Sequence, residues 1–383
     1  MRNWPMIKVA DEFDLQMGKT PARDNPAYWG GEQKWASIAD IARSGMYLSD
    51  TKEAITQEAV SESGIKAVPQ NTVVMSFKLS LGRTAITASR MYTNEAIMAF
   101  LPHDATAFDL HFLYHLFSNR NWSEGCNKAV KGVTLNKTTL NAARIPKPDI
   151  SEQRAVASTL DKICALMAKC DEQIVRLDQL VKSRFVEMFG DPMTNPKGWS
   201  IGCISDIAKY WNGLTYKPDD VSEQGTIVLR SSNIQNGCLD FADIVRVNLE
   251  AKEKNLVVPG DILMCSRNGS AALVGKTTII PRLPEKMYFG AFMMVLRCSE
   301  PTFLNAYFKT KAFRVQIVCG QTTTVNQITC SMMDKVRLPI PPLPLQREFA
   351  AFVAKVDKLA FAARQRREVA KQLYRAKIQE FFG

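Results

Sequence analysis

The sequence predicts an α+β protein: two mixed α/β globular units related by an internal repeat, separated by two long helices packed as an antiparallel coiled coil. Three observations predict it. The stretch Arg144 to Gly190 occurs twice. The long helical part of each copy carries a heptad stripe. The remaining chain also repeats, with drifting offsets.

The first copy reads Ile145-Pro146-Lys147-Pro148, then Gln153-Arg154, then a helical run ending Glu187-Met188-Phe189-Gly190. The second reads Leu338-Pro339-Ile340-Pro341, then Gln346-Arg347, then a run ending Glu380-Phe381-Phe382-Gly383. Gln153 and Gln346 are 193 positions apart, as are Gly190 and Gly383, so the helix repeats without a gap. Val156, Leu160, Ile163, Met167, Cys170, Ile174, Leu177, Val181 and Met188 fall at alternating steps of four and three, interrupted only by Arg184. Phe349, Val353, Val356, Ala360, Ala363, Ala370, Tyr374 and Phe381 keep that register, interrupted by Arg367 and Lys377. This is an a/d seam and requires a partner helix. Each helix is about 40 residues, or about 60 Å long, and the simplest partner is the other copy, antiparallel. Asp149 or Ser151 is the expected N-cap, and Gly190 before Asp191-Pro192 is the stop. Two unrelated amphipathic helices would not repeat without a gap.

The chain has 383 residues, enough for two or more domains with proper cores. No run of 18 apolar residues and no signal pattern occurs, so a soluble, cytoplasmic protein with no membrane partner is expected. Nine cysteines without CxxC pairs fit reduced thiols rather than a disulfide framework or a zinc site. The net charge of +11 favours a polyanionic partner, nucleic acid first, and excludes an acidic DNA mimic.

The globular units repeat as well. Trp4 to Asp11 matches Trp199 to Asp206, and Gly18-Lys19-Thr20 matches Gly213-Leu214-Thr215. Val68-Pro69-Gln70-Asn71 with Ser76 matches Val258-Pro259-Gly260-Asp261 with Ser266. Gly82-Arg83-Thr84 matches Gly275-Lys276-Thr277, and Thr134-Leu135-Asn136 matches Thr324-Val325-Asn326. Boundaries are expected near 143, 190 and 336, giving units 1–143 and 191–336 and helices within 144–190 and 337–383. Residues 72–75, 262–264 and 293–296 read as strands, and 108–117 and 303–313 as amphipathic helices. Between them lie Gly-, Asn- and Lys/Arg-containing loops, where recognition residues usually sit.

Several near-motifs fall short of a catalytic signature. Asp24-Asn25-Pro26-Ala27-Tyr28-Trp29 resembles the signature of amino-group methyltransferases, but the second proline and a glycine-rich S-adenosylmethionine loop are missing. Its aromatic pair reads as loop anchoring. Gly269 to Thr277 approaches a phosphate-binding loop, but five residues separate Gly269 from Gly275 where four are needed. A basic Gly loop repeated in both units suits DNA phosphate contact, and an ordinary turn is the alternative. His111 and His115 are four apart on a helix, a spacing that could hold a metal. The second unit has Thr302 and Ala306 there, so a structural role is expected and no metal site. With His103 the only other histidine, no complete catalytic constellation is expected.

The Pro-rich lead-in, Gln-Arg pair and long helix, alternating with two divergent basic units, resemble the DNA-specificity subunit of a type I restriction-modification system. Thr20-Pro21 through Tyr28-Trp29-Gly30-Gly31 to Trp35 and Asp40-Ile41 is similar to the opening of that family's target recognition domain. Gly213-Leu214-Thr215-Tyr216-Lys217-Pro218, Leu229-Arg230-Ser231 and Asn233-Ile234 resemble a second variant. The first copy departs from the family at Asp149-Ile150-Ser151, where the second keeps Pro342-Leu343-Pro344. The resemblance implies a non-catalytic subunit that reads bipartite double-stranded DNA, one half per recognition domain. It also implies two modification subunits that methylate adenine with S-adenosylmethionine, and restriction subunits using ATP and Mg where the system has them. No cofactor belongs to this chain. The helices would set the spacer and dock the modification subunits. Candidate DNA contacts are Lys19, Thr20, Lys78 and Arg83 in the first unit. In the second they are Lys217, Arg230, Asn233, Arg267, Asn268 and Lys276. The competing readings are a two-headed protein-binding scaffold and a nucleic-acid enzyme with degenerate motifs.

Overall fold

The computed structural model describes residues 4–78, 80–122, 128–129, 132–133, 135–250, 252–318 and 326–383. Of the matched triplets above, Thr134, Thr324 and Val325 lie outside these residues. The chain divides into two compact units: Met1–Asp171 with Arg364–Gly383, and Glu172–Ala363. Each unit therefore holds a globular head and a part of both long helices. Among the described residues, no helix is long and apolar enough to cross a membrane.

The first head contains β1 (Met6–Lys8), β2 (Phe13–Met17), β3 (Trp29–Ala36), β4 (Tyr47–Leu48), β5 (Glu53–Ile55) and β6 (Val73–Ser76). It continues with β7 (Thr84–Thr87), β8 (Tyr92–Thr93), β9 (Ile97–Pro102) and β10 (Arg144–Pro146). The main sheet has the order β2-β9-β6-β7-β4. Its first four strands are antiparallel, and β4 adds parallel to β7. A small sheet has the order β5-β3-β8, with β3 and β8 parallel. β1 pairs antiparallel with β10, which closes the head where the long helix begins. Phe13, Phe100, Phe112 and Phe117 form its core with Val156 and Leu160 of the first long helix and Phe381 of the second.

The second head contains β11 (Ile201–Cys203), β12 (Ala208–Asn212), β13 (Val221–Leu229), β14 (Arg246–Val247), β15 (Ile262–Cys265), β16 (Thr277–Ile279), β17 (Met287–Phe289), β18 (Met293–Cys298) and β19 (Arg337–Pro339). The main sheet is β12-β18-β15-β16, the small sheet β14-β13-β17 with β13 and β17 parallel, and β11 pairs with β19. The two heads thus share one topology, except that β4 has no counterpart in the second main sheet.

Conformational requirements repeat with it. Gly18 donates its N–H to the Ile97 carbonyl at 3.1 Å, and Gly213 donates to the Met293 carbonyl at 3.1 Å. A Cβ at Gly18 would be driven into the carbonyls of Thr93 and Asn94, and one at Gly213 into those of Phe289 and Gly290. Gly82 (φ 78°) and Gly275 (φ 79°) both turn through the left-handed region. The strand register corrects one expected match. Met75 faces Met98 as Met264 faces Met294, so Ser76 corresponds to Cys265, not Ser266. Asn71 (φ 58°) then matches Gly260 (φ 92°), both left-handed, rather than Asp261.

The helix expected over 303–313 is two helices, Pro301–Phe308 and Lys311–Val318. Thr310 causes the break. Its hydroxyl donates to the Tyr307 carbonyl at 2.7 Å and accepts from Phe313 N–H at 3.4 Å, capping the second helix instead of continuing the first.

The long helices span Ile150–Phe189 and Leu343–Phe382. Asp149 is the N-cap of the first; its carboxylate accepts Glu152 N–H at 2.9 Å, while Ser151 donates to the same carboxylate. The paired glutamines are the pins. Gln153 is 0% exposed; it donates to the carbonyls of Ala107 and Pro148 and accepts the Asp109 N–H. Gln346, 4% exposed, donates to the Pro341 carbonyl at 2.8 Å. The first helix ends at Gly190 (φ 81°), which any side chain would resist.

The stripe residues face inward. In the first unit Leu160 and Ile163 are buried and Met167 is half-buried, with Tyr374 half-buried against the same core. In the second unit Ile174, Leu177, Val181 and Val353 are half-buried, and Val356, Ala360 and Ala363 are buried. The early part of one helix meets the late part of the other in each unit. Asp171 pairs with Arg367 at 2.6 Å in the first, and Arg184 with Glu348 at 3.1 Å in the second. That is the antiparallel coiled coil. The same two pairings account for two breaks in the stripe, because each arginine leaves the seam to reach a carboxylate on the facing helix.

Substituting Gly213→Ala should therefore destabilise the protein by about 1–3 kcal/mol, the usual cost of overpacking. Gly45→Ala, where a Cβ meets open space, should be close to neutral. Thermal melts of the two variants decide this.

Candidate nucleic-acid interface

In the first head, four sequence stretches meet at one end of the main sheet. Gly18 and Lys19 lie against β8 through Lys19 N–H to Thr93 O at 2.8 Å, and Asn94 N–H reaches Ala36 O at 3.0 Å. Phe77 N–H reaches Ala96 O at 3.0 Å, and Gly82 N–H closes the β6–β7 turn on Ser76 O at 2.9 Å. Lys19 is exposed, but its ammonium donates to the Ser63 carbonyl, and its own carbonyl accepts Trp35 Nε1–H at 3.0 Å. The Thr20 hydroxyl donates to Glu95, and that hydrogen bond holds the Glu95 carboxyl below its usual range. Lys78 is half-buried with its ammonium 5.3 Å from the Phe77 ring centroid. Arg83 is exposed beside the turn. The sequence reading missed Arg23, which forks onto Glu53 at 2.6 and 3.1 Å and lies 3.8 Å over Trp29. Its loop position looked like any solvated cation.

The second head brings together the equivalent edge. Leu214 bridges to Gly290, and Ser231 Oγ accepts Asn268 Nδ2–H at 3.1 Å. Lys217 is exposed; its backbone N–H is held by Asp220 at 2.6 Å. Arg230 is half-buried and paired with Asp243 at 2.7 Å. Asn233 corrects the expectation of a base reader. It is 0% exposed, accepts Arg230 N–H, and donates to the carbonyls of Asp240 and Asp243, so it builds the turn from inside. Asn268 is likewise engaged, accepting Ser270 N–H as well as donating to Ser231. Lys276 is half-buried on the hairpin, where its carbonyl accepts Cys265 N–H at 2.9 Å. Arg267 is exposed, its guanidinium 5.2 Å from the Phe292 ring.

His111 and His115 serve structure, as expected. Asp161 of the first long helix accepts from His111 Nδ1 at 2.6 Å and from His115 Nε2 at 2.8 Å. His115 Nδ1 then accepts a hydrogen bond from the Tyr374 hydroxyl at 3.1 Å, and the Tyr47 hydroxyl donates to His111 Nε2 at 2.7 Å. Both imidazoles are thus satisfied while neutral. Burial lowers the His115 pKa, with Asp161 opposing, and burial raises that of Tyr374. Among the described residues no cluster of His, Cys, Asp and Glu could hold a metal.

Two heads of one topology, each with polar and basic loops at the same end of its main sheet, define a duplicated recognition protein. The family described as type I restriction modification DNA specificity domain matches residues 1–176 and again 196–371. The chain belongs to this family of specificity subunits, which are recognition subunits rather than enzymes. It is 23% identical to the type I restriction enzyme MjaIX specificity subunit of Methanocaldococcus jannaschii, over 92% of this chain and 86% of that one. It is 32% identical to the EcoKI specificity subunit of Escherichia coli, over 42% of this chain and 38% of that one. Among solved structures, an S subunit from M. genitalium superposes with a TM-score of 0.57 at 13% identity, covering 100% of this chain and 96% of that one. A chain from work on complex assembly of the type I R-M system gives 0.59 at 17% identity, covering 99% and 97%.

The buried histidine makes the first unit acid-sensitive. Its folded-state pKa lies below the ordinary value of 6.5, so the unfolded chain binds the proton more readily. Stability is full above about pH 6.5 and falls as pH drops, by up to about 1.4 kcal/mol per pH unit for one proton. Melting His115→Gln beside the unsubstituted protein from pH 7.5 to 5.5 should show the smaller loss in the variant.

Proposed function

We propose that this chain reads a bipartite double-stranded DNA target, one half-site per head, for a type I restriction-modification complex. The observation that carries the reading is the shared topology with divergent edges. The same loops occur at the same strand ends in both heads, but one edge carries Lys19, Thr20, Lys78 and Arg83 and the other Lys217, Arg230, Arg267 and Lys276. A duplicated reader of two different half-sites needs that division between a kept scaffold and altered contacts. The net charge of +11 supports a DNA partner.

In this reading residues 1–143 and 191–336 are the target recognition domains, and the helices within 144–190 and 337–383 space them. The outer faces of the helices and the Pro-rich lead-ins dock two modification subunits, which methylate adenine with S-adenosylmethionine. Restriction subunits using ATP and Mg join where the system contains them. The complex works in the cytoplasm, where its DNA is. Lys and Arg set phosphate register, and the remaining polar side chains of the edges read bases in the grooves.

Methylome sequencing of a host lacking other methylases, expressing this chain with its modification subunit, should reveal a two-part adenine-methylated motif with an unread gap. Replacing residues 1–143 by another recognition domain should change one half only. A soluble complex that methylates nothing, or whose DNA affinity is weak and indifferent to salt, would favour a protein-binding scaffold instead.

A further inference from the structure

The two heads differ most sharply at one hairpin. In the first, five residues separate Ser76 from Gly82; in the second, nine separate the equivalent Cys265 from Gly275. The four extra residues form an arm tied down on three sides. Ser266 and Arg267 both donate backbone N–H groups to the Phe292 carbonyl, at 2.9 and 3.1 Å. Asn268 N–H reaches Asn326 O at 3.3 Å, Asn326 Nδ2 returns to Gly269 O at 3.1 Å, and Arg267 bridges Gln327. Asn268 also holds Ser231 on the neighbouring loop.

Two side chains are left over from this bonding. Phe292 is 58% exposed, at the position where the first head has the buried Ala96. The Arg267 guanidinium stands over its ring at 5.2 Å. Among the described residues Arg267 has no carboxylate partner, whereas its neighbour Arg230 is neutralised by Asp243. An aromatic ring that stays in water is unfavourable for folding alone, and here it lies beneath a cation that has no carboxylate partner among the described residues.

We propose that Arg267, held by Phe292, is the residue through which the second head reads a guanine in the major groove of its half-site. The planar fork matches guanine O6 and N7, and the ring reduces the freedom lost when the fork docks. The inference rests on the bipartite DNA reading above and assigns one base within it.

The test uses the complex assembled with modification subunits and duplexes carrying each single-base change in the second half-site. For the unsubstituted chain, one G·C pair should be required. Arg267→Ala should lower discrimination at that pair by about 10- to 100-fold, the range for one bidentate contact, and leave the first half-site unchanged. Arg267→Lys keeps the charge without the fork and should give the same relaxation, which decides the matter if the alanine variant fails to assemble. Phe292→Ala should relax the same pair more weakly. The proposal is overturned if the second half contains no required G·C pair, or if its preference survives both Arg267 variants. It is equally overturned if Arg267→Ala weakens all sequences alike and only reduces the salt slope, the signature of a phosphate contact. If the unsubstituted complex shows no bipartite motif at all, the failure lies in the DNA reading itself.

Discussion

A helix of forty residues with an apolar stripe cannot remain in water alone, and most of the architecture follows from covering two of them. Each fully buried Leu, Ile, Val or Phe contributes about 1.5–3 kcal/mol, so the buried stripe residues add to the cores of both heads. In the first unit Val156 and Leu160 meet Phe381. In the second Phe185 and Phe189 pack edge-on to Phe349, at 5.7 and 5.3 Å. The heads complete the burial. Phe112 meets Phe382 at 5.6 Å in one unit, and Phe303 meets Phe189 at 5.0 Å in the other, at equivalent places in the repeat. Direction comes from polar groups. Gln153 and Gln346 are buried at the helix starts, and removing either carboxamide would strand the buried carbonyl of Pro148 or Pro341.

A frame fixed in this way leaves the loops at the strand ends free to vary. Gly18 and Gly213 keep the same close approach to the small-sheet backbone, and Gly82 and Gly275 keep the same turn. Around those fixed points most loop side chains differ, although each turn glycine is followed by a cation and a threonine, and one hairpin has gained four residues. Kept scaffold and varied loops therefore separate along the chain, as the proposed reading of two half-sites requires.

Much of this was legible in the sequence because it repeats. The gapless helix copies and the heptad steps gave the long helices, their N-cap region and the residues that face inward. The four-apart histidines on a helix read as structural because the second head has Thr302 and Ala306 there, and both imidazoles hydrogen-bond Asp161. Other features depended on partners distant in sequence. The one-residue slip at Ser76 and Cys265 is visible only from strand register, because both alignments place small residues opposite each other. The break at Thr310 comes from a hydroxyl competing for one carbonyl inside an otherwise helical pattern. Asn233 looked like a reader because asparagine in a loop often is one, and only its burial reveals three internal hydrogen bonds. Phe292 had no signal, since an aromatic residue leading into a strand is core by default.

We propose that the paired helices set the separation of two DNA-reading heads. The most direct measurement removes one heptad from the middle of each long helix and sequences the methylome of the resulting complex. Seven residues at 1.5 Å each shorten a helix by about 10 Å, equivalent to about three base pairs at 3.4 Å. Both half-site sequences should persist while the unread gap between them shortens by about that amount. Methylation at the original spacing would contradict it.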